Sequence, residues 1–411
     1  MTSGAVRRRL LLWVLFVGFC ALGMAQLDYT SLKVFRNVTY FDCMLVVAVL
    51  LGLGTLLRLA GASERSVTRT MCRIVVAYLL YELLAVIPVG AWLGTASLMQ
   101  ILGSMAVRAT WLLFPVMLTV CADERARRLA GAATVIAAAC LLAWGAYAAA
   151  TGGGGYYMEL GEMRYRILSP GAPLLFFWPL VLALSGAAPR RYTTALLVIA
   201  GAGLMLNNQR SDLIALAVAG LVCLVMSGQI RRILPVMVPV ALLATIVALI
   251  WARQLSSVFG WTLAHMADTS GTGADRLMRW RLAWDQFSSR PFNDMVWSWR
   301  YYLSYTPYES HNFALEVATT EGLAGLAFYG SILWTALSGA WSWGRRDAEA
   351  RALIGWLVAY VVYSLLNANH YLPISMPLLV GAFAALASRV DWLRRASGQG
   401  SDSHVATGVQ V

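Results

Sequence analysis

Among the polar residues of this 411-residue chain, a histidine and a handful of arginines stand where they could do chemistry. His311 lies in Tyr308-Glu309-Ser310-His311-Asn312-Phe313, directly ahead of a long apolar run. Ser310 is a natural N-cap there, which would put His311 in the first turn of the following helix. The positive end of a helix disfavours imidazolium and keeps the ring neutral, as a general base or hydrogen-bond acceptor must be. Asn312 stands beside it as a further polar contact, and Glu316 and Glu321-Gly322 follow. The plainer reading is an interfacial histidine that only hydrogen-bonds. His265 has no motif around it, and His404 is in the C-terminal tail. His370, in Asn367-Ala368-Asn369-His370-Tyr371, could line the same cavity as His311.

Arg210 occupies a polar island, Asn207-Asn208-Gln209-Arg210-Ser211-Asp212, between two apolar runs with almost no loop. An arginine at a membrane surface is costly unless paired or solvated, so it is a functional candidate. Its guanidinium fork suits a phosphate bidentately. A snorkelling arginine paired with Asp212, itself able to cap the next helix, is the structural alternative. Further along, Leu277, Trp280, Trp284 and Phe287 recur at helical spacing, which predicts an amphipathic helix lying on the membrane surface. It carries Arg276, Arg279 and Arg281. Asp275 is four residues before Arg279 and Asp285 four after Arg281, so both could be neutralised within the helix. Arg276 has no such partner and is the most available to an external anion, though a solvated basic face is the alternative.

These residues need a scaffold, and composition says which kind. The chain is 59% hydrophobic and 13% charged, against about 25% charged for a soluble domain. Continuous apolar runs predict an all-α integral membrane protein with about twelve transmembrane helices. The expected spans are 10–26, 41–61, 73–93, 97–121, 129–150, 170–188, 192–208, 212–228, 233–251, 312–341, 351–368 and 372–390. The net charge of +12 does not point to nucleic acid, because its arginines sit in short connections. Arg7–Arg9, Arg65, Arg69, Arg73, Arg190, Arg191, Arg345, Arg346, Arg394 and Arg395 all fall on one side, which is then cytoplasmic with both termini. Residues 1–396 form one polytopic membrane domain, and 397–411 form a polar, disordered tail. The long connection at about 253–311 lies outside and carries the site. The N-terminus resembles a signal peptide but fits better as a retained first helix. Cys20, Cys43, Cys72, Cys121, Cys140 and Cys223 show no metal or disulfide spacing and read as small core residues. Gly152–Gly155 is a flexible link, with no phosphate-binding signature behind it. No acidic cluster suited to a divalent cation stands on the outer face, so neither a metal nor another cofactor is expected.

Three elements together resemble the O-antigen ligase and polymerase superfamily of bacterial membrane glycosyltransferases. They are Asn208-Gln209-Arg210-Ser211 between two helices, Arg276-x-x-x-Trp280 with Arg290-Pro291 in the long outer loop, and His311-Asn312-x-x-Leu315 with Glu321-Gly322. Phe292-Asn293-Asp294 stands where the family has Gly-x-Gly. The resemblance implies a GT-C-like fold in the inner membrane of a Gram-negative bacterium, with a periplasmic site. It implies transfer of a glycan from an undecaprenyl-diphosphate-linked O-antigen donor. In a ligase the acceptor is lipid A–core oligosaccharide, and in a polymerase it is another lipid-linked unit. Related oligosaccharyltransferases glycosylate proteins and usually carry extra C-terminal sequence, of which this chain has almost none; the many short loops and single big loop look most like a ligase. In that scheme Arg210 and Arg276 stabilise the leaving diphosphate with Arg279 or Arg281 as helper, His311 is the base or positions acceptor or diphosphate by hydrogen bond, and Asn312 and His370 contact substrate. Direct displacement would invert the anomeric carbon. A lipid-linked oligosaccharide flippase is the rival class, but intramembrane charge is sparse, with Glu82 and Arg108 the main cases. The oligomeric state is left open.

Overall fold

A computed structural model describes residues 33–35, 38–62, 66–86, 110–151, 155–159, 162–166, 168, 171–207, 210–228, 272–289, 291, 310, 312–367 and 375–398. Helices dominate: α1 (Tyr40–Gly61), α2 (Val67–Tyr81), α3 (Leu113–Cys121), α4 (Glu124–Ala150), α5 (Pro173–Ser185), α6 (Arg190–Asn207), α7 (Arg210–Ser227), α8 (Thr272–Ser289), α9 (Phe313–Gly344), α10 (Ala348–Leu366) and α11 (Ser375–Ala396). A π-turn, Glu82–Val86, extends α2, and a 3₁₀ turn, Thr110–Leu112, precedes α3. The expected spans 10–26 and 233–251, and the tail beyond Gly398, lie outside the described residues.

Two short antiparallel hairpins qualify the all-α expectation. One pairs β1 (Lys33–Phe35) with β2 (Val38–Thr39), the other β3 (Gly155–Glu159) with β4 (Glu162–Arg166). Gly155 is therefore not a free link but pairs with Arg166, as Tyr156 does with Tyr165. In β4, Met163 and Tyr165 alternate with Glu162, Arg164 and Arg166, which suits a pleated ribbon.

Among the described residues, Glu124–Ala148, Glu321–Gly344 and Ala348–Leu366 are long and apolar enough to cross a membrane, with Thr110–Cys121, Pro173–Ser185 and Ser211–Ser227 as shorter apolar helices. The exterior supports the same reading. Leu50, Leu84 and Trp334 are 75%, 70% and 74% exposed, a cost that hydrocarbon removes and water would impose. The protein is a helical membrane protein.

The helices pack because small residues let them approach. A Cβ on Gly355 of α10 would come within 2.6 Å of Cys223 Sγ in α7. One on Gly344 would come within 2.7 Å of Ile354 Cδ1 and 2.8 Å of Met226 Sδ. Buried indoles find carbonyls: Trp356 donates to Leu174 O and Trp178 to Gly131 O, each at 2.9 Å, as polar tips in an apolar interior must. Trp111 fills the space beside Phe328, Tyr329 and Phe383. Helix starts are capped by Ser66, Asp123, Asn312 and Asp347. At the α9–α10 turn, Arg389 holds Asp347 (Nη2–Oδ2 2.6 Å) and Glu349 (3.2 Å), and Arg127 also pairs with Glu349. This network ties α4, α10 and α11 together.

Candidate active site

The candidate site lies where α8 packs against α9, with Trp280 of α8 bonded to Ser310 just ahead of α9. Asn312 sits in extended backbone (φ −142°, ψ 112°), and its Oδ1 accepts from Leu315 N at 3.1 Å. That makes Asn312 the N-cap, and corrects the sequence reading that gave this role to Ser310. The first turn of α9 therefore begins at Phe313, after position 311 in sequence.

Ser310 has a different task. It is fully buried, and its carbonyl accepts from Trp280 Nε1 at 2.9 Å. Its hydroxyl accepts from Asn312 N at 3.3 Å. The hydroxyl hydrogen is within reach of Glu316 Oε1 at 3.3 Å and Asn312 O at 3.2 Å. One serine thus links α8 to the buried carboxylate of α9.

The α9 helix then breaks at Gly322 (φ 62°, ψ −155°). Only glycine enters this region without heavy strain. Leu323 N turns instead to Pro291 O, at 3.1 Å. Thr319 hydroxyl reaches back to the carbonyls of Leu315 and Glu316 (3.0 and 3.1 Å), a pattern that accompanies helix bending. Just before the break, buried Glu321 accepts from Tyr78 OH at 2.6 Å. Tyr78 stacks on Phe328, centroids 3.9 Å apart. A Cβ on Gly325 would lie 2.4 Å from Glu321 Cβ, so glycine is required beside this carboxylate.

The rotation of α8 differs from the amphipathic expectation. Leu277 and Trp284 are 64% and 57% exposed, together with Met278 and Leu282, while Trp280 and Phe287 are half-buried. The face turned inward carries Ala283 and Arg279. Docking fixes this orientation: the Trp280–Ser310 bond sets the roll of the helix, and its apolar residues stay outward, where a bilayer can take them. Arg279, ranked behind Arg276 from sequence, is buried. Arg281 and Asp285 are exposed and form no ion pair with each other. Arg276 lies on α8, but its side chain is outside the described residues.

Arg210 begins α7, and the two residues after it, Ser211 and Asp212, are buried. The Arg210 side chain, His311 and His370 are outside the described residues. The contacts of Cys223 with Gly355 and of Met226 with Gly344 set α7 antiparallel to α10 and parallel to α9. Arg210 therefore begins its helix at the same end of the bundle at which Asn312 begins α9. The sequence reading passed over Ser310 as a linker, Tyr78 as a partner of Glu321, and Gly325. The Glu321-Gly322 pair was its one pointer to the bend.

Residues 195–330 match the family model described as O-antigen ligase. The match runs from α6 through α7 and α8 to Gly330 of α9, and contains Arg210, Arg276, Trp280, Pro291, Asn312 and the Gly322 break. No curated protein matches the chain.

Proposed function

We propose that this chain, whose residues 195–330 match the O-antigen ligase model, transfers a glycan from undecaprenyl diphosphate to lipid A–core oligosaccharide. The match supports a membrane glycosyltransferase of the ligase and polymerase type. The finer reading rests on the short helix connections and on the capped, bent start of α9, on which α8 docks with Arg279 turned inward. In this reading about twelve helices span the inner membrane, of which Glu124–Ala148, Glu321–Gly344 and Ala348–Leu366 are long and apolar enough among the described residues. Both termini are cytoplasmic and the site is periplasmic.

The donor's diphosphate gains charge as its bond to the anomeric carbon breaks and takes the electron pair. Guanidiniums positioned for that charge need no metal. Arg210 and Arg276 hold it, Arg281 helps from the exposed face of α8, and Arg279 fixes the electrostatics from below. The acceptor hydroxyl oxygen forms the new bond from the opposite side, inverting the centre, and its proton passes to His311. Asn312 holds the histidine segment by capping α9, and His370 contacts acceptor. Positioning of the acceptor by hydrogen bond is the other role open to His311.

The test is glycan transfer by purified protein in detergent with a chelator, given undecaprenyl-diphosphate glycan and lipid A–core. Loss of about 10²–10⁴ in rate is expected for His311→Ala, and about 10²–10³ for Arg210→Ala or Arg276→Ala. Longer lipid-linked chains without core capping would identify a polymerase. Transport of the donor without any transfer would identify a flippase. A product that retains the donor's anomeric configuration would exclude the one-step displacement.

A further inference from the structure

At the far end of α9, about 27 Å of helix rise beyond Glu321 at 1.5 Å per residue, a second feature stands apart from the candidate active site. A cavity of about 420 Å³ opens between α2, α9 and α11, lined by Arg69, Arg73, Arg394, Ser66, Thr70 and Ser338. Gly339 keeps its wall thin: a Cβ there would lie 2.8 Å from Val67 Cγ2 and 3.9 Å from Arg394 Nη2.

The charge in this cavity is positive. The charged residues that line it among the described ones are arginines, and beside it the oxygens of Asp391 accept from Val67 N (2.9 Å) and Thr68 N (3.0 Å). The α2 terminus is thereby neutralised, and the arginines supply the remaining potential. Among the described residues, Arg73 donates through Nε to Ala60 O at 3.0 Å. Arg394 forms no ion pair among the described residues. Arg345, Arg346 and Arg395 are exposed at the same end.

The surroundings are those of a lipid boundary. Ser338 donates to Trp334 O at 2.6 Å. Trp334, one turn before it, and Trp341, three residues after it, are 74% and 43% exposed. Outward indoles on one helix side mark the headgroup level of a bilayer, and basic pockets between helices at that level suit anionic headgroups. We propose that this cavity binds the phosphodiester headgroup of an anionic membrane lipid, with Arg73 and Arg394 as its principal contacts. The acyl chains would run along the Trp334 side of α9. This site does not depend on the transferase reading, and its test uses no glycan.

The experiment is native mass spectrometry and thermal unfolding of the full chain in neutral detergent, titrated with phosphatidylglycerol, phosphatidylcholine or inorganic phosphate. Wild type should retain one phosphatidylglycerol, with phosphatidylcholine bound at least tenfold more weakly. The double variant R73Q/R394Q should lose at least tenfold in phosphatidylglycerol affinity. Ser338→Trp, which fills the cavity but leaves the arginines, should do the same, and Arg128→Gln, an exposed charge elsewhere, should change nothing. Equal binding of the two lipids overturns the proposal. So does a Ser338→Trp or R73Q/R394Q protein that holds phosphatidylglycerol as wild type does, or an Arg128→Gln protein that loses it. Displacement of phosphatidylglycerol by millimolar inorganic phosphate would mean a free-phosphate site and would also overturn it.

Discussion

The amide of Leu323 donates to the carbonyl of Pro291 at 3.1 Å. The bond closes the α9 break with a residue from the segment after α8. A helix broken inside a membrane protein must find other partners for its freed groups. Here Leu323, directly after the Glu321-Gly322 element, is satisfied by Pro291 from before α9.

Gly322→Ala should therefore distort this junction. A side chain at φ 62°, ψ −155° costs on the order of 1–3 kcal/mol. Relief by straightening the helix would withdraw Leu323 from Pro291. The expected result is glycan transfer reduced at least tenfold with the protein still folded, read by transfer rate beside thermal unfolding. Wild-type transfer in Gly322→Ala would mean the bend has no part in the site.

Trp280→Phe keeps an aromatic ring, though a smaller one, and removes the donor to Ser310 O. A net hydrogen bond contributes about 0.5–1.5 kcal/mol, so the loss should loosen α8 without unfolding the bundle. Faster amide hydrogen exchange over 272–289, with α10 unchanged, is the expected signature.

Arg279 and Arg281 are two residues apart but differ in burial. Arg281→Ala should shift stability by less than about 0.5 kcal/mol, as exposed substitutions do. Arg279→Ala should cost about 3 kcal/mol or more, as truncation of a buried charged group does. Arg279→Lys should recover only part, because the planar fork is lost. Unfolding curves of the three variants decide this, and equal curves for the two alanine variants would contradict the inward rotation of α8.

Asp347 gives a pH dependence. Burial alone would raise its carboxyl, but Arg389 and the Ala350 amide more than reverse this and hold it below the ordinary 3.8. A carboxyl lowered on folding stabilises above its unfolded value, and the contribution is lost as pH falls through the lowered one. Wild type should lose stability on acidification below about pH 4. Asp347→Asn, still an N-cap, should be less stable at neutral pH and show a flatter acid limb. A parallel limb in the variant would mean another group sets the acid response.

The boundaries of the bundle were legible in the chain itself. The expected spans 41–61, 192–208 and 351–368 become Tyr40–Gly61, Arg190–Asn207 and Ala348–Leu366. The length of an apolar run is a local property, and the hydrocarbon thickness sets it. The Arg276–Trp280 and His311–Leu315 elements were also legible, as residue types at fixed spacing. Tertiary structure decided what each polar group meets. Ser310 and Asn312 are both good caps by type, and only the docking of Trp280 assigns the cap to Asn312 by engaging Ser310. The spacing of Leu277, Trp280 and Trp284 marked a helix, but its roll was set by contact with α9, which turned Arg279 inward. Glu321 meets Tyr78 from 243 positions away, and the Gly322 break is closed from Pro291. Such pairings depend on which helices the bundle brings side by side, so no local pattern carries them.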